Sequence, residues 1–330
     1  RPPRSTPKPS SAASDVYKRQ VQKYRGMEMR FLSNGFFING IITATITPFT
    51  KDFMPIKDGI NALIDYQRKH GINAFFVLGT TGEGLSLSLQ MRKKVAELFR
   101  DAIPDSDVMI VHVGSTALED AIALAKHSSD IGADAISAVG PYFYLPDDVG
   151  LIKFYEALAQ ATDLPLFVYN NPKKQGYNIT PKIFEGIISN ASNVVGLKDT
   201  SYDQTQLIEY VSQFGKNHNI LAAGDSLIFE TFALGAHGHV SAIANIIPSI
   251  VTRLYKSILD GDFSYAKVLQ KNINKLRSIL KSVGVEIAPY KAALEYIGID
   301  AGVVLPPLRD LTEKEKKLII DYLSTIDFEV

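Results

Sequence analysis

The chain has 330 residues, with 35 Lys and Arg, 35 Asp and Glu, and no cysteine. A formal net charge of zero argues against a nucleic acid or an anionic membrane as partner, and the missing cysteines exclude disulfides and thiolate metal sites. The length predicts one large α/β domain with a smaller appendage, cytoplasm is the expected compartment, and no apolar run is long enough to cross a bilayer.

The first part of the chain differs in composition from the rest. Residues 1–20 are rich in Pro, Ser, Arg and Lys and lack the apolar core of a secretory signal. A transit peptide is one interpretation of this segment. The interpretation we prefer is a disordered or non-native extension over residues 1–36, with the native start at Met27 or Met29.

Eight short apolar runs, rich in β-branched and aromatic residues, follow along the chain. Runs without alternation of polar and apolar residues indicate strands that are buried on both faces, as in a parallel sheet. The predicted strands are Gly40–Thr47, Asn73–Gly79, Asp107–Val113, Asp134–Val139, Pro165–Asn170, Asn193–Lys198, Asn219–Ala223 and Gly238–Ala244.

Amphipathic segments separate these runs and predict helices. Asp58 and Asp203 lie near helix starts, and Gly71, Gly132 and Gly215 lie just past helix ends. Strands that alternate with helices predict a (β/α)₈ TIM barrel, with an open doubly wound sheet as the runner-up. No G-x-G-x-x-G turn follows the first strand, which weakens a dinucleotide-binding interpretation. The predicted helices are Lys57–His70, Leu89–Ala102, Ala117–Ile131, Val149–Thr162, Pro181–Ser189 and Tyr202–Phe214.

From about residue 247 the pattern becomes helical throughout. We therefore predict a barrel catalytic domain over residues 37–262 and a C-terminal helical domain over residues 263–330. The helical segments are Ile247–Asp260, Ser264–Val283, Ile287–Ile297 and Thr312–Ser324.

Polar side chains follow the strands on the side of the barrel where active sites lie. The carboxyl ends of all eight strands meet at one rim of such a barrel. Five separate segments bring reactive groups there, which indicates a catalytic or binding site. They are Gly79–Glu83, Pro141–Tyr144, Tyr169–Pro172, Lys198–Thr200 and Gly224–Asp225.

Lys198 is the most informative of these residues, because its stem leaves a buried strand. Desolvation lowers the pKa of a lysine amine and frees its lone pair to attack a carbonyl. The resulting imine draws electrons, so a neighbouring carbon–carbon bond can form or break. The alternative is a structural lysine that reaches solvent or pairs with Asp199. Tyr169 is the second candidate, as a phenol that transfers protons, against a tyrosine that only packs at the barrel mouth.

The segment Gly79–Glu83 predicts a tight turn that can bind an anion. Gly79 and Gly82 leave backbone N–H groups open, and Thr80 and Thr81 add two hydroxyls, so the turn can hold a carboxylate. The alternative is a turn that needs glycine and small polar residues for its own geometry.

The histidines are the residues that could suggest a metal. His237 and His239 are one residue apart and His112 ends the third strand, but a metal-assisted aldolase needs three or four converging ligands. No set of His and carboxylate residues has such a spacing, so we predict no metal.

Three segments in this order resemble the dihydrodipicolinate synthase / N-acetylneuraminate lyase superfamily: Gly79–Glu83, Tyr169–Pro172 and Val195–Thr200. The resemblance extends from about Gly40 to the C-terminal helices. It implies a class I aldolase that forms a Schiff base with pyruvate, acts on an aldehyde as second partner and needs no cofactor. It also implies a homotetramer built as a dimer of dimers.

The resemblance assigns roles to individual residues. It implies that Lys198 forms the Schiff base, that Tyr169 is the general acid and base, and that Thr80 links Tyr169 into a proton relay. Thr81 would hold the pyruvate carboxylate. The family closes its pyruvate pocket at the positions of Gly224 and Val240.

Two positions near the site depart from the synthase branch of this family. Lys174 stands where the synthase has an arginine for the second substrate's carboxylate, and a lysine lacks the two-pronged geometry of a guanidinium. Asp199 replaces the usual glutamate, and together with Thr200 it resembles the 2-keto-3-deoxy-gluconate aldolase branch.

A third departure is Phe143, at the position where the synthase donates a relay tyrosine across its dimer; Tyr142 or Tyr144 could substitute for it. The three departures favour an aldolase that cleaves a 2-keto-3-deoxy sugar acid to pyruvate and an aldehyde. The main alternative is 4-hydroxy-tetrahydrodipicolinate synthase, which condenses pyruvate with aspartate semialdehyde in lysine biosynthesis. Further alternatives are a neuraminate lyase, a sugar-acid dehydratase and a non-catalytic ligand-binding relative.

Overall fold

A computed structural model describes residues 36–326 of the chain. Eight parallel strands close into a barrel in chain order, and the eighth strand pairs with the first. This confirms the predicted (β/α)₈ barrel, and the alternative of an open sheet is wrong. The strands are β1 Gly40–Ala44, β2 Ala74–Val77, β3 Val108–His112, β4 Ala135–Val139, β5 Leu166–Asn170, β6 Val194–Asp199, β7 Asn219–Ala223 and β8 Gly238–Ser241.

Every residue of the eight strands is buried, which explains why their sequences lack polar alternation. One face of the barrel wall packs outward against the helices. The other face fills the barrel interior, so the barrel has a packed core and an open mouth only at its rim. The interior cluster includes Ile42, Phe76, Ile110, Phe167, Tyr169, Leu221 and Val240.

Helices cover the outside of the barrel. Ser88, Asp147, Thr180 and Asp203 each begin a helix, and each side chain accepts a hydrogen bond from a backbone N–H of the first turn. Two short helices, Pro172–Gln175 and Ile228–Ala233, were not predicted. The helices are α1 Lys57–Lys69, α2 Leu89–Ala102, α3 Leu118–Asp130, α4 Asp148–Ala159, α5 Pro172–Gln175, α6 Pro181–Asn190, α7 Gln204–Phe214 and α8 Ile228–Ala233.

Two of the three glycines predicted at helix ends take the left-handed conformation expected there. Gly71 has a φ of 88° and Gly132 a φ of 73°. Gly215 directly follows the last residue of α7, as predicted, but has a right-handed φ of −61°. There the chain continues in a right-handed turn, with the N–H of Gly215 bonded to the Val211 carbonyl.

The C-terminal helices pack onto the barrel. Leu254, Ile273 and Leu323 belong to the same apolar cluster as the outer layer of the barrel wall. The domain boundary between residues 262 and 263 stays a prediction, and the predicted extension over residues 1–36 lies outside the described residues apart from Phe36. Within residues 36–326, no helix has the length and apolar character required to span a membrane. The C-terminal helices are α9 Pro248–Leu259, α10 Phe263–Ser282, α11 Ala288–Tyr296 and α12 Glu313–Leu323.

The first and last strands are shorter than predicted, because side chains replace the neighbouring strand as partners of the backbone. The N–H of Ile46 donates to the Asn245 side chain over 3.1 Å. After β8, the carboxylate of Asp225 accepts from the N–H groups of Ala242 and Ile243, at 3.2 and 3.0 Å. These side-chain contacts satisfy backbone N–H groups beyond the ends of β1 and β8.

Candidate active site

Lys198 lies near the end of β6, inside the barrel mouth. The residue is only 4% exposed, and its Nζ lies 3.9 Å from the ring centroid of Phe76 and 3.8 Å from that of Tyr169. Burial lowers the pKa of the amine from its ordinary value of 10.5, against a smaller upward influence of Tyr169. Since a lysine with a lowered pKa is more often uncharged, this amine is suited to attack a carbonyl.

Tyr169 lies beside Lys198 on β5, where the two residues are direct partners in the strand register. The side-chain N–H of Asn171 donates to the Tyr169 hydroxyl over 3.0 Å, and the Thr80 hydroxyl lies 3.5 Å from it. Burial raises the pKa of Tyr169, but the charge of Lys198 and the surrounding hydrogen bonds outweigh burial and lower this pKa. The phenol is therefore placed and tuned to transfer protons near the amine.

The turn Gly79–Glu83 follows β2 and forms one side of the mouth. A Cβ on Gly79 would lie 2.7 Å from the Phe76 ring, and a Cβ on Gly82 would lie 2.8 Å from the Thr45 carbonyl oxygen, so both positions require glycine. The hydroxyl of Thr47 donates to the Gly82 carbonyl over 2.9 Å. Both predictions for this segment, a tight turn and a rim position, are thereby met.

Gly224 and Val240 lie on the side of the mouth formed by β7 and β8, where only β1 separates β8 from β2. Val240 is buried in the barrel interior and pairs with Ala223, directly before Gly224. Gly224 has a φ of 107°, and a Cβ on it would lie 2.5 Å from the Tyr202 ring. The ring of Tyr202 therefore lies against the Gly224 backbone and forms part of the wall of the mouth.

The histidines are engaged in structural contacts. His112 is fully buried and accepts a hydrogen bond from the Val139 N–H over 3.2 Å; burial lowers its pKa well below the ordinary value, so it is neutral. His237 accepts from the Ile220 N–H over 2.9 Å. Burial lowers the pKa of His239 to about 3, and its Nδ1 lies 2.9 Å from the Thr231 hydroxyl. Among residues 36–326, no three His, Asp or Glu side chains converge as a metal site would require.

Comparison with known proteins decides the family. The family model described as the dihydrodipicolinate synthetase family matches residues 37–326. A 4-hydroxy-tetrahydrodipicolinate synthase of Protochlamydia amoebophila is 32% identical over 298 residues, which is 89% of this chain and 98% of the relative. The synthase of Methanocaldococcus jannaschii is 31% identical over 292 residues, which is 87% of this chain and 98% of the relative.

The chain belongs to the dihydrodipicolinate synthetase family. It is accordingly an enzyme, a lyase of the class I aldolase type, and members of this family use pyruvate and an aldehyde substrate. The predicted kinship with the 2-keto-3-deoxy-gluconate aldolase branch stays a prediction, since the relatives named above carry the synthase's name.

Two solved structures are similar across the same region. CdNal from Clostridium difficile, in complex with mannosamine, aligns with a TM-score of 0.83 at 26% identity, over 87% of this chain and 99% of its own. The prophage protein YagE of E. coli K12, in complex with pyruvate, aligns with a TM-score of 0.83 at 29% identity, over 87% of this chain and 97% of its own. The barrel and its C-terminal helices are thus a shared family architecture.

Lys174, predicted to bind the carboxylate of the second substrate, lies on α5. Its side chain is half exposed, and its Nζ donates to both carboxylate oxygens of Glu286 over 2.8 Å. The expected carboxylate-binding residue is therefore already occupied by an acidic partner from the segment before α11.

The three aromatic residues after β4 have different environments. Phe143 and Tyr144 are both 81% exposed, and Phe143 has a positive φ of 75°. Tyr142 is partly buried and packs against the interior cluster that contains Tyr169. Of the two tyrosines predicted as substitutes at this family position, Tyr142 therefore lies nearer the barrel interior.

Several residues of the mouth were missed by sequence analysis. Asn171, which donates to Tyr169, lies in a recognised segment, and its spacing two residues after Tyr169 was the available signal.

Arg277 on α10 donates to the Tyr202 hydroxyl over 3.4 Å, and Lys173 lies 5.3 Å from the centroid of the same ring. Burial lowers the pKa of Lys281, and the positive charges of Arg277 and Lys173 lower it further. Lys173 and Arg277 thus lie beside Tyr202, and Lys281 lies near both, where the carboxylates of Glu286 and Asp225 also act on it. We call these three cations the basic cluster; nothing in their local sequence indicates it.

Proposed function

We propose that this enzyme binds pyruvate as a Schiff base on Lys198 and makes or breaks a carbon–carbon bond between pyruvate and an aldehyde. The observation that carries the proposal is the position of the Lys198 amine, buried at the barrel mouth and 3.8 Å from the Tyr169 ring centroid. Family membership supports the same chemistry.

The proposed cycle begins when the free amine of Lys198 adds to the C2 carbonyl of pyruvate. Tyr169 gives a proton to the departing hydroxyl, water leaves, and the imine forms. Tyr169, left as a phenolate, takes a proton from C3 to give an enamine, and it returns that proton to the aldehyde oxygen as C3 attacks the aldehyde carbon. Water then hydrolyses the imine and restores the amine, and the reverse sequence cleaves the bond. The imine itself accepts the electron pair, so the proposed reaction needs no cofactor.

Other residues of the mouth have proposed binding roles. Thr80 connects to the Tyr169 hydroxyl and acts as its relay partner. Thr81 and the open N–H groups beside Gly79 and Gly82 hold the pyruvate carboxylate. Gly224 and Val240 close the pocket on the side of β7 and β8.

The first candidate for the second substrate is aspartate semialdehyde, as in 4-hydroxy-tetrahydrodipicolinate synthase. The relatives at 32% and 31% identity carry that name and align over nearly their whole length. The basic cluster Lys173, Arg277 and Lys281 beside Tyr202 offers positive charge for the carboxylate of this aldehyde. These comparisons favour the synthase over the sugar-acid aldolase that the sequence alone suggested.

The second candidate is the aldolase for 2-keto-3-deoxy sugar acids. It is favoured by the ion pair of Lys174 with Glu286, since a neutral aldehyde needs no cation at that position. The exposed Phe143, which cannot transfer a proton, and the pair Asp199-Thr200 support it as well. The homotetramer and the cytoplasmic location stay predictions.

The test is a borohydride trap with pyruvate. The protein is incubated with pyruvate, reduced with sodium borohydride, and digested for mass analysis. We expect one reduced pyruvate on the peptide with Lys198, no adduct in Lys198→Ala, and an unchanged adduct in the surface variant Lys216→Ala. A folded wild-type protein without adduct would overturn the proposal and favour a non-catalytic ligand-binding relative.

The substrate is assigned by two assays in parallel. One measures condensation of pyruvate with aspartate semialdehyde, and the other measures pyruvate release from a panel of 2-keto-3-deoxy sugar acids. We expect the larger kcat/KM with aspartate semialdehyde. A larger value with a sugar acid would reverse the order of the two candidates and leave the Schiff base intact.

A further inference from the structure

Glu83, the last residue of the Gly79–Glu83 turn, is buried together with a lysine from the C-terminal helices. Its carboxylate lies 2.7 Å from the Nζ of Lys291 on α11, and the two side chains are 1% and 2% exposed. Glu83 has a left-handed φ of 55°. An ion pair so completely removed from water is unusual, because each charge loses its hydration.

Further hydrogen bonds connect this pair to two other segments. The second carboxylate oxygen of Glu83 accepts from the Leu305 N–H over 2.6 Å. The Lys291 ammonium donates to the Val303 carbonyl over 2.5 Å and lies 4.8 Å from the ring centroid of Phe49. The pair therefore joins the turn after β2, the segment after β1, helix α11 and the chain that follows it.

The turn has few other anchors of comparable strength. Within it, the Glu83 N–H donates to the Thr80 carbonyl and the Gly84 N–H to the Gly79 carbonyl, each over 3.2 Å. Thr47 adds one hydrogen bond at Gly82. Burial lowers the pKa of Lys291, and the carboxylate of Glu83 offsets only part of that lowering. A buried pair of this kind contributes little net stability compared with apolar residues of the same size, but removal of one partner alone leaves an uncompensated buried charge, so the two side chains are held together.

We propose that the Glu83–Lys291 ion pair is a positioning device that fixes the Gly79–Glu83 turn, so that Thr80 and Thr81 meet the carboxylate of pyruvate at the correct distance from Lys198. The inference rests on the proposed function and extends it to two residues that do not touch the substrate. A displacement of a binding group by about 1 Å is enough to change activity by up to roughly a hundredfold.

The test uses the double variant Glu83→Gln/Lys291→Met, which removes both charges and leaves no unpaired ion in the core. The matched control is Glu295→Gln/Lys316→Met. It removes a 2.5 Å ion pair between α11 and α12 whose partners are each 36% exposed. For each protein we measure the pyruvate concentration that gives half-maximal borohydride trapping, the maximal extent of trapping, and the melting temperature.

We expect the double variant to need about tenfold more pyruvate for half-maximal trapping, with the maximal extent of trapping retained, because the amine is unchanged and only the carboxylate subsite shifts. The control variant keeps the wild-type half-saturation. A double variant that folds and has wild-type half-saturation overturns the inference.

A second variant covers the case in which the double variant fails to fold. Glu83→Asp keeps both charges but shortens the side chain by one methylene, so that the ion pair and the bond to Leu305 cannot both be kept without moving the turn. We expect a raised half-saturation for Glu83→Asp, and wild-type half-saturation in this variant overturns the inference. If wild-type protein is not trapped by pyruvate at all, the proposed function fails and this inference with it.

Discussion

Tyr169 and Lys198 are direct register partners on the adjacent parallel strands β5 and β6, and the Lys198 amine lies 3.8 Å from the centroid of the Tyr169 ring. Register partners on neighbouring parallel strands project to the same side of the sheet. The separation between the proposed nucleophile and the proposed proton donor is therefore set by the barrel wall, the most rigid part of the fold. Each residue also changes the other's pKa, Lys198 lowering that of Tyr169 and Tyr169 raising that of Lys198.

Replacement of the Tyr169 hydroxyl tests its proposed role. Tyr169→Phe keeps the ring against Lys198 but removes the proton donor, so we expect the rate of pyruvate trapping to fall about 10²–10⁴-fold, the range for general acid–base catalysis. The control is Tyr155→Phe on α4. It removes a buried hydroxyl that donates to the Ala138 carbonyl over 2.9 Å. That variant should lose about 1 kcal/mol of stability and keep its trapping rate. Equal rates in wild type and Tyr169→Phe would contradict the assignment.

The Thr80 hydroxyl, 3.5 Å from that of Tyr169, is expected to act only through Tyr169. Thr80→Val keeps the shape of the side chain and removes the relay partner, so trapping should slow, though less than in Tyr169→Phe. In a Tyr169→Phe background the same change should have almost no further effect, because two residues of one network are not additive. The measurement is a double-mutant cycle on the trapping rate. Additive effects would show that Thr80 acts on the substrate directly.

The burial of Lys198 predicts a stability that depends on pH. Folding lowers the pKa of this amine, so between that pKa and the ordinary value of 10.5 the folded chain binds fewer protons than the unfolded chain. The penalty for burying the ammonium is complete below the folded pKa and disappears as pH rises toward the unfolded one. Lys198→Met should therefore be more stable than its parent near neutral pH, by a margin that shrinks in alkali.

Denaturant titrations across that pH range measure this margin. Both proteins carry Tyr169→Phe, so that the neighbouring phenol does not titrate in the same range. The exposed variant Lys216→Met serves as the reference for loss of a surface lysine. A margin that stays constant with pH would mean that the Lys198 pKa is not lowered by folding.

The sequence predicted those parts of the site that are local in the chain. Eight apolar runs predicted the barrel, and the barrel in turn predicted that residues at strand ends, such as Lys198 and Tyr169, lie together at one rim. Contacts between distant segments had no such signal. Glu286 binds Lys174 from 112 residues away, and Leu305 binds Glu83 from 222 residues away. Those pairings depend on how the C-terminal helices dock on the barrel, and no local pattern encodes that docking.

Gly224 offers a test of the pocket wall. A Cβ there would lie 2.5 Å from the Tyr202 ring, and its φ of 107° is unfavourable for any other residue. Gly132→Ala is the matched control, since Gly132 has a φ of 73° and nothing within 4 Å of the added Cβ. The control should lose roughly 1–2 kcal/mol from backbone strain alone and bind pyruvate normally. Gly224→Ala should lose more stability and require more pyruvate for trapping; equal behaviour of the two variants would remove Gly224 from the wall.

Arg277 provides the sharpest test of the second substrate. The guanidinium donates to the Tyr202 hydroxyl over 3.4 Å, and that ring lies against the Gly224 backbone at the mouth. If the aldehyde is aspartate semialdehyde, Arg277 is placed to bind its carboxylate while Lys174 is held by Glu286. We expect Arg277→Leu to raise the KM for aspartate semialdehyde about tenfold to a hundredfold, the value of a hydrogen bond to a charged group, with little change for pyruvate.

The reference for this variant is Lys275→Leu, which removes an exposed positive charge from the same helix α10 on a different face. Steady-state condensation assays with each substrate varied in turn separate the two KM values. If the KM for aspartate semialdehyde rises in Arg277→Leu alone, and the KM for pyruvate does not, then Arg277 on the C-terminal helices binds the aldehyde's carboxylate in place of Lys174. Equal KM values in Arg277→Leu and Lys275→Leu would show that the basic cluster does not bind the aldehyde, and the argument for the synthase would then depend on its relatives alone.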